Sequence, residues 1–286
     1  FNSLVGIRPT IGLTSRDGII PLALTQDVGG PMARTVADAV IVLDAISGYD
    51  PADVVTARSV GEVPASYTEF LKEDGLEGKR IGVIRDLFGS NPEVVSIMDA
   101  AVKDMERLGA TVIEVTVPNL DEIVSYPSLS GWEFKFQLND YLATLGDRAP
   151  YKSLSEIIES GEYDPSIESS LIAREARESL DAEEYKDIVL FRTKLTQESL
   201  LKVMADYDLD ALVYPTSTEP PAKIGENQNA GSGNRLSPFS GFPAITVPAG
   251  FTTDGLPVGI EFLGRAFSEP VLIEIAYSYE QGTPHR

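Results

Sequence analysis

Val5 to Pro51 reads VGIRPTIGLTSRDGIIPLALTQDVGGPMARTVADAVIVLDAISGYDP. Glycine and proline punctuate its first half at Gly6, Pro9, Gly12, Gly18, Pro21, Gly29, Gly30 and Pro31. Glycine permits positive φ and close backbone approach, while proline fixes turns and removes a donor. Val5-Gly6-Ile7 and Ile19-Ile20 are brief apolar runs between such breakers, so Phe1 to Thr25 is expected to form short strands and turns. After Gly30-Pro31 the pattern changes. Thr35 suits a helix N-cap, and Val36, Val40, Leu43 and Ile46 follow at helical spacing. Ile41 and Val42 fill the gaps, which predicts a central helix buried nearly all round and ended near Gly48. Such a stretch reads either as a rigid loop system that positions a site or as an ordinary connector between core strands.

Downstream, Arg80-Ile81-Gly82-Val83-Ile84-Arg85 predicts a strand. Asn91 caps a helix with Pro92 at its first position, and Val94, Ile97, Met98, Ala101, Met105 and Leu108 give its buried stripe. Gly109 ends that helix and Thr111 to Val115 is a β-branched strand, completing a right-handed, parallel β-α-β unit. Gly82 and Gly89 do not form a nucleotide-binding fingerprint. Residues 131–206 read as a helical block, with helices over Trp132–Leu145, Leu154–Ser160, Ile167–Ser179 and Ala182–Asp206. Asp210 to Tyr214 is a strand ending at Pro215-Thr216, and the ends of such strands are common ligand sites. Pro220 to Pro238 reads as a long binding loop or lid, with Ile224 and Leu236 its only apolar anchors. Ala244 to Pro248 and Leu256 to Leu263 predict a hairpin around Thr253-Asp254-Gly255, with Pro248 and Pro257 at strand ends. A last helix starts at Ser268-Glu269-Pro270.

Composition narrows the chemistry. The 286 residues carry 23 basic and 44 acidic side chains, a net charge of −21. That disfavours nucleic acid and anionic membranes as partners, because phosphate binding needs clustered Lys and Arg. No apolar run approaches the roughly 18 residues of a membrane span. With no cysteine, thiolate chemistry and disulfides are excluded. The one histidine, His285, sits in the tail, which argues against a Ser-His-Asp triad or a histidine-rich zinc site. The compartment stays undecided, with the cytoplasm the favoured reading.

Two blocks of words carry a family resemblance. The first is Gly6-Ile7-Arg8-Pro9-Thr10, Ser15-Arg16-Asp17-Gly18-Ile19-Ile20-Pro21, Gln26-Asp27 and Gly30-Pro31-Met32-Ala33-Arg34-Thr35-Val36-Ala37-Asp38-Ala39. The second is Gly241-Phe242-Pro243-Ala244-Ile245-Thr246-Val247-Pro248-Ala249-Gly250-Phe251 with Gly255-Leu256-Pro257-Val258-Gly259. Together they resemble the amidase signature family, most closely its bacterial peptide-amidase-like members. The resemblance implies an α/β fold: a mixed, twisted β-sheet sandwiched by α-helices. Residues 1–286 would be the C-terminal part of a single domain, with 131–206 a helical insertion or cap that shapes substrate choice.

The family hydrolyses carboxamides with a lysine, a serine in a cis peptide and a nucleophilic serine, using no metal or cofactor. All three residues match positions upstream of Phe1, so no catalytic residue is assigned and the chain alone is expected to be inactive. Gln26, Asp27, Gly30 and Arg34 are the expected support for the catalytic loop, with a turn-forming role open for Asp27 and a surface salt bridge for Arg34. Tyr214, Thr216, Ser240 and Phe242 are pocket candidates or core and turn residues; Ser240 lacks a base and reads as a loop hydroxyl. The implied partners are a small-molecule amide or peptide-amide substrate and the N-terminal portion of the same protein, without which exposed sheet edges favour association, including with a second copy. Two other readings are a non-catalytic small-molecule-binding or scaffold homologue and the amide-hydrolysing component of a tRNA-dependent amidotransferase.

Overall fold

The β-branched and apolar runs pair into one seven-stranded sheet in the computed structural model, which describes residues 1–285. The strands are β1 (Val5–Arg8), β2 (Met32–Ala33), β3 (Arg80–Val83), β4 (Thr111–Glu114), β5 (Ala211–Pro215), β6 (Ala244–Phe251) and β7 (Pro257–Leu263). Their order is β2-β1-β6-β7-β5-β3-β4. β3 runs parallel to β4 and β5, and every other pair is antiparallel. The sheet is therefore mixed, as expected: the β-α-β unit supplies the parallel half and the hairpin the antiparallel half.

Local chemistry sets the helix starts. In α1 (Val36–Ile46) Thr35 Oγ1 accepts the Asp38 N–H at 3.0 Å. In α2 (Pro92–Arg107) Asn91 Oδ1 accepts from Glu93 N and Val94 N. The remaining helices are α3 (Leu120–Ser125), α4 (Ser130–Leu145), α5 (Leu154–Ser160), α6 (Glu168–Glu175), α7 (Glu183–Asp187), α8 (Thr193–Asp206), α9 (Leu236–Ser240) and α10 (Glu269–Gly282). No helix of the described residues is long and apolar enough to cross a membrane.

Strand alternation sorts side chains into two cores. On one face Ile7, Ile81, Val213, Ile245, Val247, Ile260 and Phe262 pack against α1, α2 and α10. On the other, Leu212, Tyr214, Ala244 and Leu263 pack beneath α3, α8 and α9. That second cover reaches only part of the sheet. The helical block adds a small core of its own, Leu138, Leu142, Ala149, Leu154 and Leu171, between α4, α5 and α6.

Several expectations change. The α1 helix is not buried all round: Val36, Ala39, Val40 and Leu43 are buried, but Ile41, Val42 and Ile46 lie on the opposite side and are exposed. Ile19 and Ile20 form no strand; they sit exposed in a turn, because Gly18 and Pro21 leave too few residues for a ladder. Pro248 is not a strand end, since β6 runs on to Phe251 past an irregularity between Pro248 and Gly250, where a missing donor is tolerated. The long helix expected over Ala182–Asp206 is interrupted by a π-helical turn, Ile188–Arg192, which turns both Ile188 and Arg192 inward. Residues 236–240, expected in a loop, form α9. Gly241 closes it at φ 72°, and Ser237 Oγ donates to Phe242 O. Of the two loop anchors, Leu236 is buried and Ile224 is fully exposed.

Candidate functional site

The uncovered part of the second sheet face lies over β1, β6 and β7. Alternation that sends Ile7, Ile245 and Ile260 into the first core sends Gly6, Arg8, Thr246, Gly259 and Glu261 to this side. All five are half-buried. Two adjoining cavities of about 360 Å³ each open there and share Gly6, Met32, Asn234 and Thr246. One is walled by apolar atoms, including Leu4, Pro248, Pro257 and Val258. The other holds the polar groups Arg8, Glu261 and Ser237.

Glycine is required at two points of this wall. A Cβ on Gly30 would lie 2.0 Å from the Ile7 carbonyl oxygen, because the Gly30-Pro31 turn lies against β1 and Pro31 O accepts the Ile7 N–H. A Cβ on Gly259 would meet Thr216 Oγ1 at 2.8 Å. Gly30 is kept open by the close approach of the β1 backbone and Gly259 by the paired threonine side chains, and neither by an unusual φ.

The polar end is a connected group. Tyr214 OH donates to Glu261 Oε1 at 2.8 Å. Arg8 Nη2 donates to the Gln26 carbonyl at 2.5 Å, while Arg8 Nε is buried without a partner. Burial pushes the Glu261 carboxyl up to about 7, partly offset by the Tyr214 hydrogen bond and the Arg8 charge. Burial also holds Arg8 below its ordinary value, opposed by Glu261 and Asp27, and drives Tyr214 well above the usual phenol range. Thr216 and Thr246 share a 2.5 Å hydroxyl hydrogen bond beside this group.

Gly30 and Thr216 line the cavities. Gln26 reaches them through its carbonyl on Arg8, and its Nε2 donates to Ser128 Oγ at 2.9 Å. Asp27 Oδ2 accepts the Leu22 and Ala23 N–H groups, each at 2.7 Å, so it shapes its own turn. Arg34 is exposed and forms no ion pair among the described residues. Tyr214 lies fully buried beneath the site and touches it through Glu261. Ser240 and Phe242 are buried in and behind α9 and line neither cavity; Ser240 Oγ donates to Leu236 O at 2.7 Å. His285 sits away from the site, beside Asp104 and stacked on Tyr279.

Sequence reading missed Arg8 and Glu261 as site residues. The available signal was a charge inside an otherwise apolar interior strand, Val258-Gly259-Ile260-Glu261-Phe262. It also missed Glu133. This fully buried carboxylate of α4 accepts from Thr25 Oγ1 (2.7 Å), Thr25 N (3.2 Å), Gln137 Nε2 (2.7 Å) and Tyr185 OH (3.1 Å). It ties the helical block to the loop that carries Gln26 and Asp27. Burial and this carboxylate push the Tyr185 phenol up to about 12.

A family model described as amidase matches residues 1–273. A probable amidase of Arabidopsis thaliana is 37% identical over 297 residues, covering 99% of this chain and 53% of the relative. A glutamyl-tRNA(Gln) amidotransferase component from Thermosynechococcus vestitus is 34% identical over 305 residues, covering 99% of this chain and 61% of the relative. The native peptide amidase of Stenotrophomonas maltophilia superposes with a TM-score of 0.85 at 37% identity, over 100% of this chain and 59% of that one. The corresponding glutamyl-tRNA(Gln) amidotransferase component of Thermotoga maritima gives 0.70 at 27% identity, over 99% of this chain and 58% of that one. The chain thus spans a little over half the length of the relatives it matches.

Proposed function

The chain belongs to the amidase family, and from that premise we propose that it serves the hydrolysis of a carboxamide C–N bond by serine-lysine acyl transfer. In this reading the lysine, the cis-peptide serine and the nucleophilic serine come from sequence preceding Phe1. The 286 residues supply the wall against which those groups stand, and the helical block of 131–206 caps the substrate. The observation that carries the reading is the sheet-face cavity, because residues of both family-matching blocks converge on it: Gly6, Arg8, Gly30 and Met32 from the first, Thr246, Pro248 and Gly259 from the second.

Two features support the division of labour. Among the described residues no serine hydroxyl is hydrogen-bonded to a lysine amine or a histidine ring; Ser15 and Ser66 donate to the carboxylates of Asp50 and Asp44, and neither serine lines the two cavities. The outward face of α1 exposes Ile41, Val42 and Ile46, with Tyr49 and Val54 exposed just beyond it, which suits cover by more of the same protein. A second copy on that face is the competing arrangement.

The test is amide hydrolysis by the purified 286-residue chain on an aryl amide and a peptide amide. Release of product at background rate is the expected result. Turnover clearly above background would overturn the assignment. A second reading, the amide-hydrolysing component of an amidotransferase, is favoured by the amidotransferase relatives at 30–34% identity. The higher TM-score and identity to peptide amidase weigh toward the first. Co-purification with a tRNA-binding partner would reverse that order.

A further inference from the structure

The polar cavity holds donors on Arg8 and an acceptor on Glu261 that the proposed division of labour leaves without a task. Glu261 Oε1 takes the Tyr214 hydroxyl, while Oε2 carries no hydrogen bond among the described residues. Arg8 spends Nη2 on the Gln26 carbonyl; Nη1 donates to no described atom. The two side chains line the same cavity and are not joined to each other by an ion pair. Both rise from strands, Arg8 from the end of β1 and Glu261 from the middle of β7, so the sheet fixes their separation. Fixed charges of opposite sign, one from each side of a cavity, select ligands by their pattern of donors and acceptors.

We infer that Glu261 and Arg8 form a selectivity site that takes a neutral carboxamide group and rejects the corresponding carboxylate. The inference rests on the amidase reading and names the group that Glu261 reads. A carboxamide offers an oxygen to Arg8 and an N–H to Glu261. A carboxylate offers oxygens only, so it satisfies Arg8 while setting a like charge against Glu261. The adjoining apolar cavity, walled by Leu4, Met32, Pro248 and Val258, receives the substituent that the carboxamide ends. Glu261 is therefore a specificity-determining residue for an amidase, whose substrate is an amide and whose product is an acid.

The titration of Glu261 gives the site a pH signature. Three titratable groups govern it: Arg8 from β1, Tyr214 from β5 and, through Arg8, Asp27 of the adjacent loop. The other cavity groups near it, Thr246, Asn234 and Ser237, are uncharged. Burial raises the carboxyl to about 7. Below that the protonated carboxyl is a donor and accommodates a carboxylate; above it the carboxylate form rejects one.

The experiment measures binding of N-acetyl-leucinamide and N-acetylleucine to the 286-residue chain by ligand-observed NMR or calorimetry. Near pH 8 the amide is expected to bind at least about tenfold more tightly than the acid, with the gap narrowing to within about threefold near pH 5.5. The isosteric Glu261→Gln variant is expected to close the gap near pH 8. Circular dichroism establishes that the variant is folded, and the pH dependence of the unmutated chain tests the same point with no variant at all. Equal binding of amide and acid at both pH values would overturn the inference, as would no binding of the amide or an unchanged gap in a folded Glu261→Gln. These outcomes are independent of turnover, so they leave the hydrolase reading to its own assay.

Discussion

Glu261 and Phe262 are neighbours on β7, yet they face opposite sides of the sheet. Phe262 is fully buried and meets Tyr279 edge to face, ring centroids 6.0 Å apart, in the core under α10. Glu261 points to the side where helical cover stops, shares a hydrogen bond with Tyr214 and lines an open cavity. The same contrast repeats on β6 between Ile245 and Thr246 and on β1 between Ile7 and Arg8. One residue of alternation separates a side chain that holds the sheet together from one that lines an open cavity. A one-residue slip of register would put charges into the core, so the apolar face fixes the position of the polar one.

Substitutions on the two faces sharpen this contrast, the core face most strongly. Phe262→Ala removes a packed ring and leaves a cavity, and is expected to cost about 3–5 kcal/mol in urea unfolding. A loss below about 1 kcal/mol would mean that the α10 face does not carry the fold. On the cavity face, Glu261→Gln is expected to act in the other direction and only at higher pH. The folded protein holds the Glu261 proton up to about pH 7, well above the ordinary carboxylate value of 4.5. The folded state then binds more protons than the unfolded state, so stability falls as pH rises from the unfolded value through the folded one. The glutamine variant should lose that slope and gain on the order of 2 kcal/mol near pH 8, with little change near pH 4. Parallel urea midpoints for the two proteins across this range would expose the claim as wrong. Thr246→Val should show the smallest effect, about 1 kcal/mol or less, because the Thr216 hydroxyl it leaves behind can turn to water in the cavity. A penalty as large as that of Phe262→Ala would erase the distinction between the faces.

The helical block offers a second contrast. Its residues read correctly as helical, because amphipathic spacing is local. Its attachment did not, because Glu133 joins Thr25 across a chain separation that no periodicity records. Asn91, Thr35 and Pro92 announced helix starts from adjacent residues alone. The π-helical turn at Ile188–Arg192 had no such announcement, since it answers to Phe239 and Pro127, which Arg192 meets through its ring contact and hydrogen bond.

By itself the sequence determined the β-α-β unit, the hairpin, the principal helix starts and, through the words around Gly6-Ile7-Arg8-Pro9-Thr10 and Gly241-Phe242-Pro243, the amidase family. These rest on spacing, capping and turn chemistry between residues close along the chain. Only the tertiary structure decided that α1 buries one face and exposes Ile41, Val42 and Ile46, because burial depends on what packs alongside. It alone placed Arg8 and Glu261 in one cavity. The β1-β6-β7 order brings the two ends of the chain together, and strand pairing at that distance leaves no trace in local pattern. The stretch from Val5 to Pro51 thus changes from a row of turns into one wall of a cavity whose other wall comes from the C-terminal hairpin.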